Sequence, residues 1–154
     1  SFYMSTIGSN DWPYIQHRGG EKGFVRILNQ KQIVFPDYRG NKQYISVGNL
    51  TGNDKIALFF MDYPSRTRLK MIGTTKIVDP KSDAELFNSF SFTENSNRIE
   101  RAFLIDVVGY DWNCPQFITP RWTEAEIKQA VLPLQKKITE LEEELKKYKK
   151  QDQT

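Results

Sequence analysis

A single cysteine, Cys114, and a single histidine, His17, are all that this chain of 154 residues offers of the commonest soft metal ligands. One thiol closes no internal disulfide, which excludes a stapled secreted scaffold and fits a reducing, cytoplasmic compartment. One imidazole and one distant thiol, with no CxxC or HExxH spacing, supply no zinc set. A G-x-S-x-G elbow and a P-loop are also missing, which removes the common serine-hydrolase and nucleotide-phosphate signatures. No apolar run approaches the ~18 residues that a membrane-spanning helix needs, and no signal-peptide pattern opens the sequence. No membrane association is therefore expected. The chain begins with Ser1 rather than Met, so a segment upstream is expected to be cleaved or absent. Charge of one sign is lacking too. The formal net charge is +3, and residues 123–154 hold seven Lys against seven Asp and Glu. The remaining 15 Lys and Arg against 12 acids make too small an excess for a nucleic-acid surface. A local anion site is compatible with these totals.

What the chain does have is alternation. Strands are predicted at 2–8, 12–18, 23–28, 32–38, 55–63, 66–78 and 100–112, several joined by hairpin-length turns. The nearly continuous apolar run "KIALFFMDY" (55–63) reads as a strand buried on both faces. Six or seven strands with hairpin-length connections in about 110 residues predict a mainly β, small antiparallel barrel. A short helix is expected within 41–50, capped by Asn41, and a further turn within 83–90.

At Thr123 the pattern changes. "TEAE" has the form of a capping box. Beyond it Ile127, Val131, Leu134, Ile138, Leu141, Leu145 and Tyr148 are spaced 4, 3, 4, 3, 4, 3, the a/d seam of a heptad helix. Pro133 is expected to kink or split that helix. The organisation expected is a barrel domain over 1–122 and a helical tail over 123–154, which either pairs with a second copy or folds back on its own barrel. Lys137 and Glu144 take g positions and Glu142 and Lys149 take e positions, so charges match in a parallel or an antiparallel pair.

The residues that carry chemistry are basic and polar. In "WPYIQHR" Tyr14, Gln16 and Arg18 share one strand face, and Ile15 and His17 the other. In "FPDYRGNKQY" an Asn41-capped helix would place Lys42 in its first turn, where an anion suits the free amides. In "RTRLKMIG" Arg66, Arg68 and Lys70 share one face, which calls for neighbouring carboxylates or an anion. Arg18, Lys42, Arg68 and Lys70 would together surround a phosphorylated planar molecule.

Four stretches, "PYIQHRGGEKGF", "DYRGNKQYISVGNL", "ALFFMDYPSRTRLKMIG" and "YDWNCPQFITPRWT", occur in an order and spacing that resemble the pyridoxamine 5'-phosphate oxidase-like family, in its general bacterial branch. The likeness covers residues 2 to about 126. It implies an FMN-binding split barrel acting as a homodimer, with two flavins at the subunit interface. By position, Gln16, His17 and Arg18 would line the flavin, Phe35 and Pro36 would present backbone to it, and Asn41 with Lys42 would hold its phosphate. Arg68, with Lys70 beside it, would lie near the ring, and Asn113, Pro115, Gln116 and Arg121 would reach over from the other subunit. The family's vitamin-oxidising members bind substrate phosphate through a C-terminal Arg-x-His. With His17 the only histidine, that motif is absent, and oxidation of pyridoxamine phosphate is not expected. The resemblance therefore implies a flavin-dependent oxidoreductase with an unidentified substrate. Its alternatives are a flavin-sensing module that docks a partner through the tail, and a haem-binding barrel with His17 as the only imidazole.

Overall fold

The computed structural model describes residues 1–92, 96–112 and 116–151. Seven strands alternate with three helices in the order β1 (Phe2–Ile7), β2 (Pro13–Arg18), β3 (Arg26–Asn29), β4 (Gln32–Tyr38), α1 (Ile45–Gly52), β5 (Lys55–Asp62), β6 (Thr67–Val78), α2 (Ala84–Ser89), β7 (Ile99–Trp112) and α3 (Glu124–Gln151). All pairings are antiparallel, and the sheet runs β2-β1-β5-β6-β7-β4-β3. The chain divides into two compact units, residues 1–62 with 67–116 and residues 63–66 with 117–154.

In the first unit, period-two alternation builds the core. Phe2, Met4 and Thr6 of β1 point inward and are buried, while Tyr3 is exposed. Phe2 and Met4 join Ile56 and Leu58 of β5, Ile33 and Phe35 of β4, and Phe103 and Ile105 of β7 in one cluster. The sheet must roll for this to happen, because β1 and β4 stand far apart in strand order. Phe2 and Phe35 nevertheless meet edge to face at 5.0 Å, and Phe35 meets Phe103 at 5.2 Å. Side chains also span the gap between the two ends of the sheet, where Arg18 of β2 binds Asp37 of β4. The barrel is thus closed by packing and one ion pair rather than by a hydrogen-bonded ladder, which is the sense in which it is split.

The middle of β7 is buried on both faces. Phe103 and Ile105 enter the barrel core, while Ala102 and Leu104 join Val34, Val78 and Phe90 in a second cluster. Leu86, Phe87 and Phe92, in and after α2, cover that second cluster. Burial on both faces was expected of β5 instead. There Ile56 and Leu58 are buried, but Lys55 and Ala57 are exposed, so an apolar run does not by itself show which element is covered twice. At the bulge between Ile72 and Gly73, β6 changes register against β7, and Gly73 is buried.

In the second unit α3 is one helix with Pro133 inside it. Its start realises the capping box: the Glu126 amide donates to Thr123 Oγ1 at 3.3 Å, and the Thr123 amide donates to Glu126 Oε2 at 2.6 Å. Among the described residues no helix is long and apolar enough to cross a membrane.

Candidate functional site

A small cleft of about 50 Å³, open to solvent, lies where the end of β2 faces the loop between β4 and α1. Gln16 and Arg18 line it from β2, Asp37 and Tyr38 from β4, and Gly40 to Tyr44 from the loop, with Ser46, Val47 and Glu100 completing it. Strand alternation explains the first contribution. Tyr14, Gln16 and Arg18 are half-buried on the inner face, and Ile15 and His17 are exposed on the outer one. Gln16 is fixed by the Ser46 hydroxyl, which donates to its Oε1 at 2.9 Å.

The loop differs from its sequence-based description. α1 begins at Ile45 and not after Asn41, and its N-cap Tyr44 is left-handed, with φ 53° and no side-chain cap bond. Asn41 Oδ1 instead accepts from the Gln43 amide at 3.3 Å, a local turn that competes with helix formation. Lys42 is therefore not in the first helical turn. It sits in the loop with φ 59°, a conformation that costs a residue with a side chain about 1–2 kcal/mol. Strain of this kind persists where the surrounding structure enforces it and is enriched at binding sites.

The electrostatics of the cleft rest on two carboxylates. Asp37 is 2.6 Å from Arg18 and 3.7 Å from Arg101, and the Arg18 and Asp37 side chains are only 13% and 9% exposed. Burial outweighs the two guanidinium charges and holds the Asp37 carboxyl above its ordinary range. Glu100 faces Arg101 at 3.4 Å and Arg39 at 3.5 Å, and accepts from the Tyr44 hydroxyl at 3.2 Å. Arg101 also lies over the Tyr44 ring at 4.8 Å. Arg18 and Lys42 line the cleft, and Arg39 and Arg101 pair with its carboxylates from beside it, so four cations stand against two carboxylates, an excess suited to a dianionic group. The Lys42 ammonium makes no ion pair or hydrogen bond among the described residues. Arg18 Nε is buried with no hydrogen-bond acceptor, a donor left over after its partner Asp37 is counted.

The sequence profile of the pyridoxamine 5'-phosphate oxidase family matches residues 1–107. The chain belongs to that family. A search among curated proteins finds no match. Solved structures share the fold of this pyridoxamine 5'-phosphate oxidase family chain at low identity. A pyridoxamine 5'-phosphate oxidase-related, FMN-binding protein from Nostoc punctiforme is 12% identical, with TM-score 0.54 over 72% of each chain. A Clostridium acetobutylicum protein related to general stress protein 26 of B. subtilis is 17% identical, with TM-score 0.52 over 82% of this chain and 87% of that one. A HupZ variant from Group A Streptococcus is 16% identical, with TM-score 0.52 over 73% of this chain and 88% of that one. These likenesses establish the split-barrel fold.

Of the family positions named from the sequence, the cleft gathers Gln16, Arg18, Asn41 and Lys42. Phe35 and Pro36 are buried, Phe35 in the core, with their backbone paired to Phe103 and Ala102 of β7. His17 faces away from the cleft and meets Tyr3 edge to face at 5.7 Å. Lys70 lies on that same outer face, ion-paired with Asp111 at 2.6 Å, and Arg68 stands across from Met61. Arg66, grouped with them from the sequence, lies outside β6 in the preceding turn with φ 49°. Gln116 is exposed. Arg121, in the second unit, lies over the Tyr63 ring at 4.0 Å. Asn113 and Pro115 fall outside the described residues. Asp37, Glu100 and Arg101 are members that sequence reading missed. For Asp37 the signal was present, since it falls two residues from Phe35 on an inward strand face where a carboxylate needs a partner.

Proposed function

We propose that the cleft binds FMN by its phosphate end, and that the protein is a flavin-dependent oxidoreductase working as a homodimer on an unidentified substrate. The observation that carries the reading is the Lys42 ammonium, held on a strained loop in a cleft with excess positive charge and with no carboxylate of its own. It would meet phosphate oxygens as a compact charge. Asn41 shapes the loop through its turn, and Arg18, held by Asp37, offers its buried Nε–H as a further donor. Gln16, oriented by Ser46, would contact polar atoms nearer the ring. Hydride or electron transfer is chemistry that the flavin supplies when bound. The protein contributes binding, orientation and charge, and no side chain is assigned as acid or base.

The dimer reading is supported by the outer sheet face. One row across four strands carries Ile15, Ser5, Ala57 and Ile72, and the next carries His17, Tyr3, Phe59 and Lys70. Ile15 is 65% exposed and Ile72 54%, apolar side chains on a mixed face that a second copy would cover. A cytoplasmic location follows the same reading.

Titration of the purified protein with FMN, followed by flavin fluorescence, tests the proposal. Saturable binding is expected, and Lys42→Ala should weaken it ~10-fold to ~100-fold, as loss of about 1.5–3 kcal/mol of charge-assisted hydrogen bonding implies. Equal affinity in variant and parent would remove Lys42 from the phosphate site.

A further inference from the structure

The longest apolar stripe on an exposed element lies on α3. Leu134, Ile138, Leu141 and Leu145 are between 49% and 63% exposed. With Val131 they fall at 3, 4, 3 and 4 spacing, and a single unbroken helix carries them all. We propose that this stripe is the seam of a parallel, in-register, two-stranded coil with α3 of a second copy of this chain.

Two features choose that occupant over a groove on some other protein. The a positions are Val131, Ile138 and Leu145 and the d positions are Leu134 and Leu141. Val131 and Ile138 branch at Cβ, Leu145 does not, and both d residues of this stretch are Leu; β-branched residues in a with Leu in d favour parallel dimers over larger bundles. The flanking charges fit the same arrangement, since Lys137 at g would meet Glu142 at e of the second copy. Pairing of charge alone also fits an antiparallel dimer; the identity of the a and d residues separates the two.

Pro133 is compatible with this seam. It takes a c position, and the carbonyl that its ring displaces belongs to Gln129 at f. Both face away from the partner, so the lost hydrogen bond opens toward water and any bend leaves the stripe continuous. Lys137 also reaches Glu140 within its own helix at 3.6 Å, an exposed contact weak enough to yield to the interchain one. The coil is short, and roughly two heptads are marginal as isolated peptides. Tethering to a folded unit that itself pairs would make the second contact intramolecular. The proposal does not depend on the cleft's holding flavin.

The test uses the full chain with Cys114→Ser as background, adding Leu134→Cys, Leu141→Cys or Glu143→Cys singly. Identical positions come within disulfide range only where the seam is parallel and in register. Mild oxidation should therefore give several-fold more covalent dimer for both Leu134→Cys and Leu141→Cys than for Glu143→Cys at the outward f position. In the Leu141→Cys chain, Lys137→Glu should lower that yield, and adding Glu142→Lys should restore it. Cross-linking no greater than that of Glu143→Cys, at either seam position, would overturn the proposal. So would failure of Glu142→Lys to rescue Lys137→Glu, since an antiparallel pair matches Lys137 with Glu144 instead.

Discussion

Asp37 shows how one residue sets the character of the cleft. Its carboxylate holds Arg18 at 2.6 Å and stands near Arg101, yet burial dominates and its carboxyl titrates above the ordinary value of 3.8. A native value above the unfolded one means that the protonated form is favoured by folding. The stability this group contributes is complete below about pH 3.8 and is lost as pH rises through the raised native value. Asp37→Asn keeps the shape and removes the titration. The variant should therefore gain stability relative to the parent between pH 4 and pH 7, read as the difference between their urea midpoints. A constant difference across that range would show that the two guanidiniums, and not burial, control the carboxylate. The same residue marks a limit of sequence reading. That Gln16 and Arg18 share a face was legible from alternation. That Arg18 already has a carboxylate partner was not, because Asp37 lies 19 residues away on a strand that only the rolled sheet brings near.

At the scale of elements, strand positions were readable because each strand has one wet face. Predicted and observed bounds of β4 coincide at 32 and 38, and those of β6 differ by one residue. The loop before α1 was misread for a local reason. Asn41 does turn the chain, but it satisfies the Gln43 amide rather than opening the helix, and two left-handed residues follow before α1 begins. Which strand would be covered twice was also hidden, since that depends on where α2 and Phe92 fold back, as they do over β7 and β4. The bulge between β6 and β7 makes a test of this packing. A methyl group at Gly73 would press on the Asp106 carbonyl and lie 3.2 Å from Ile105 Cγ2. Backbone cannot rotate away as a side chain would, so Gly73→Ala should cost about 1–3 kcal/mol. Denaturant unfolding should show the loss with little change in slope.

The chain comprises a sheet unit and a helical unit, each with exposed apolar residues at which pairing with a second copy is proposed. The sheet unit has Ile15, Tyr3 and Ile72 exposed on one face, and α3 has its narrow stripe. The sheet face is expected to be the larger contact, and area and apolar content distinguish lasting interfaces from weak ones. Deleting residues 134–154 should therefore leave the protein dimeric in light scattering, with FMN affinity and the urea midpoint of the sheet unit unchanged. The four cleft residues read from sequence, Gln16, Arg18, Asn41 and Lys42, all lie in the unit that the deletion spares. A monomer with intact FMN binding would make the coil the principal contact between copies. A monomer that has also lost FMN would mean that the cleft is completed only when two chains meet, so that the tail acts on the cofactor through assembly rather than through contact.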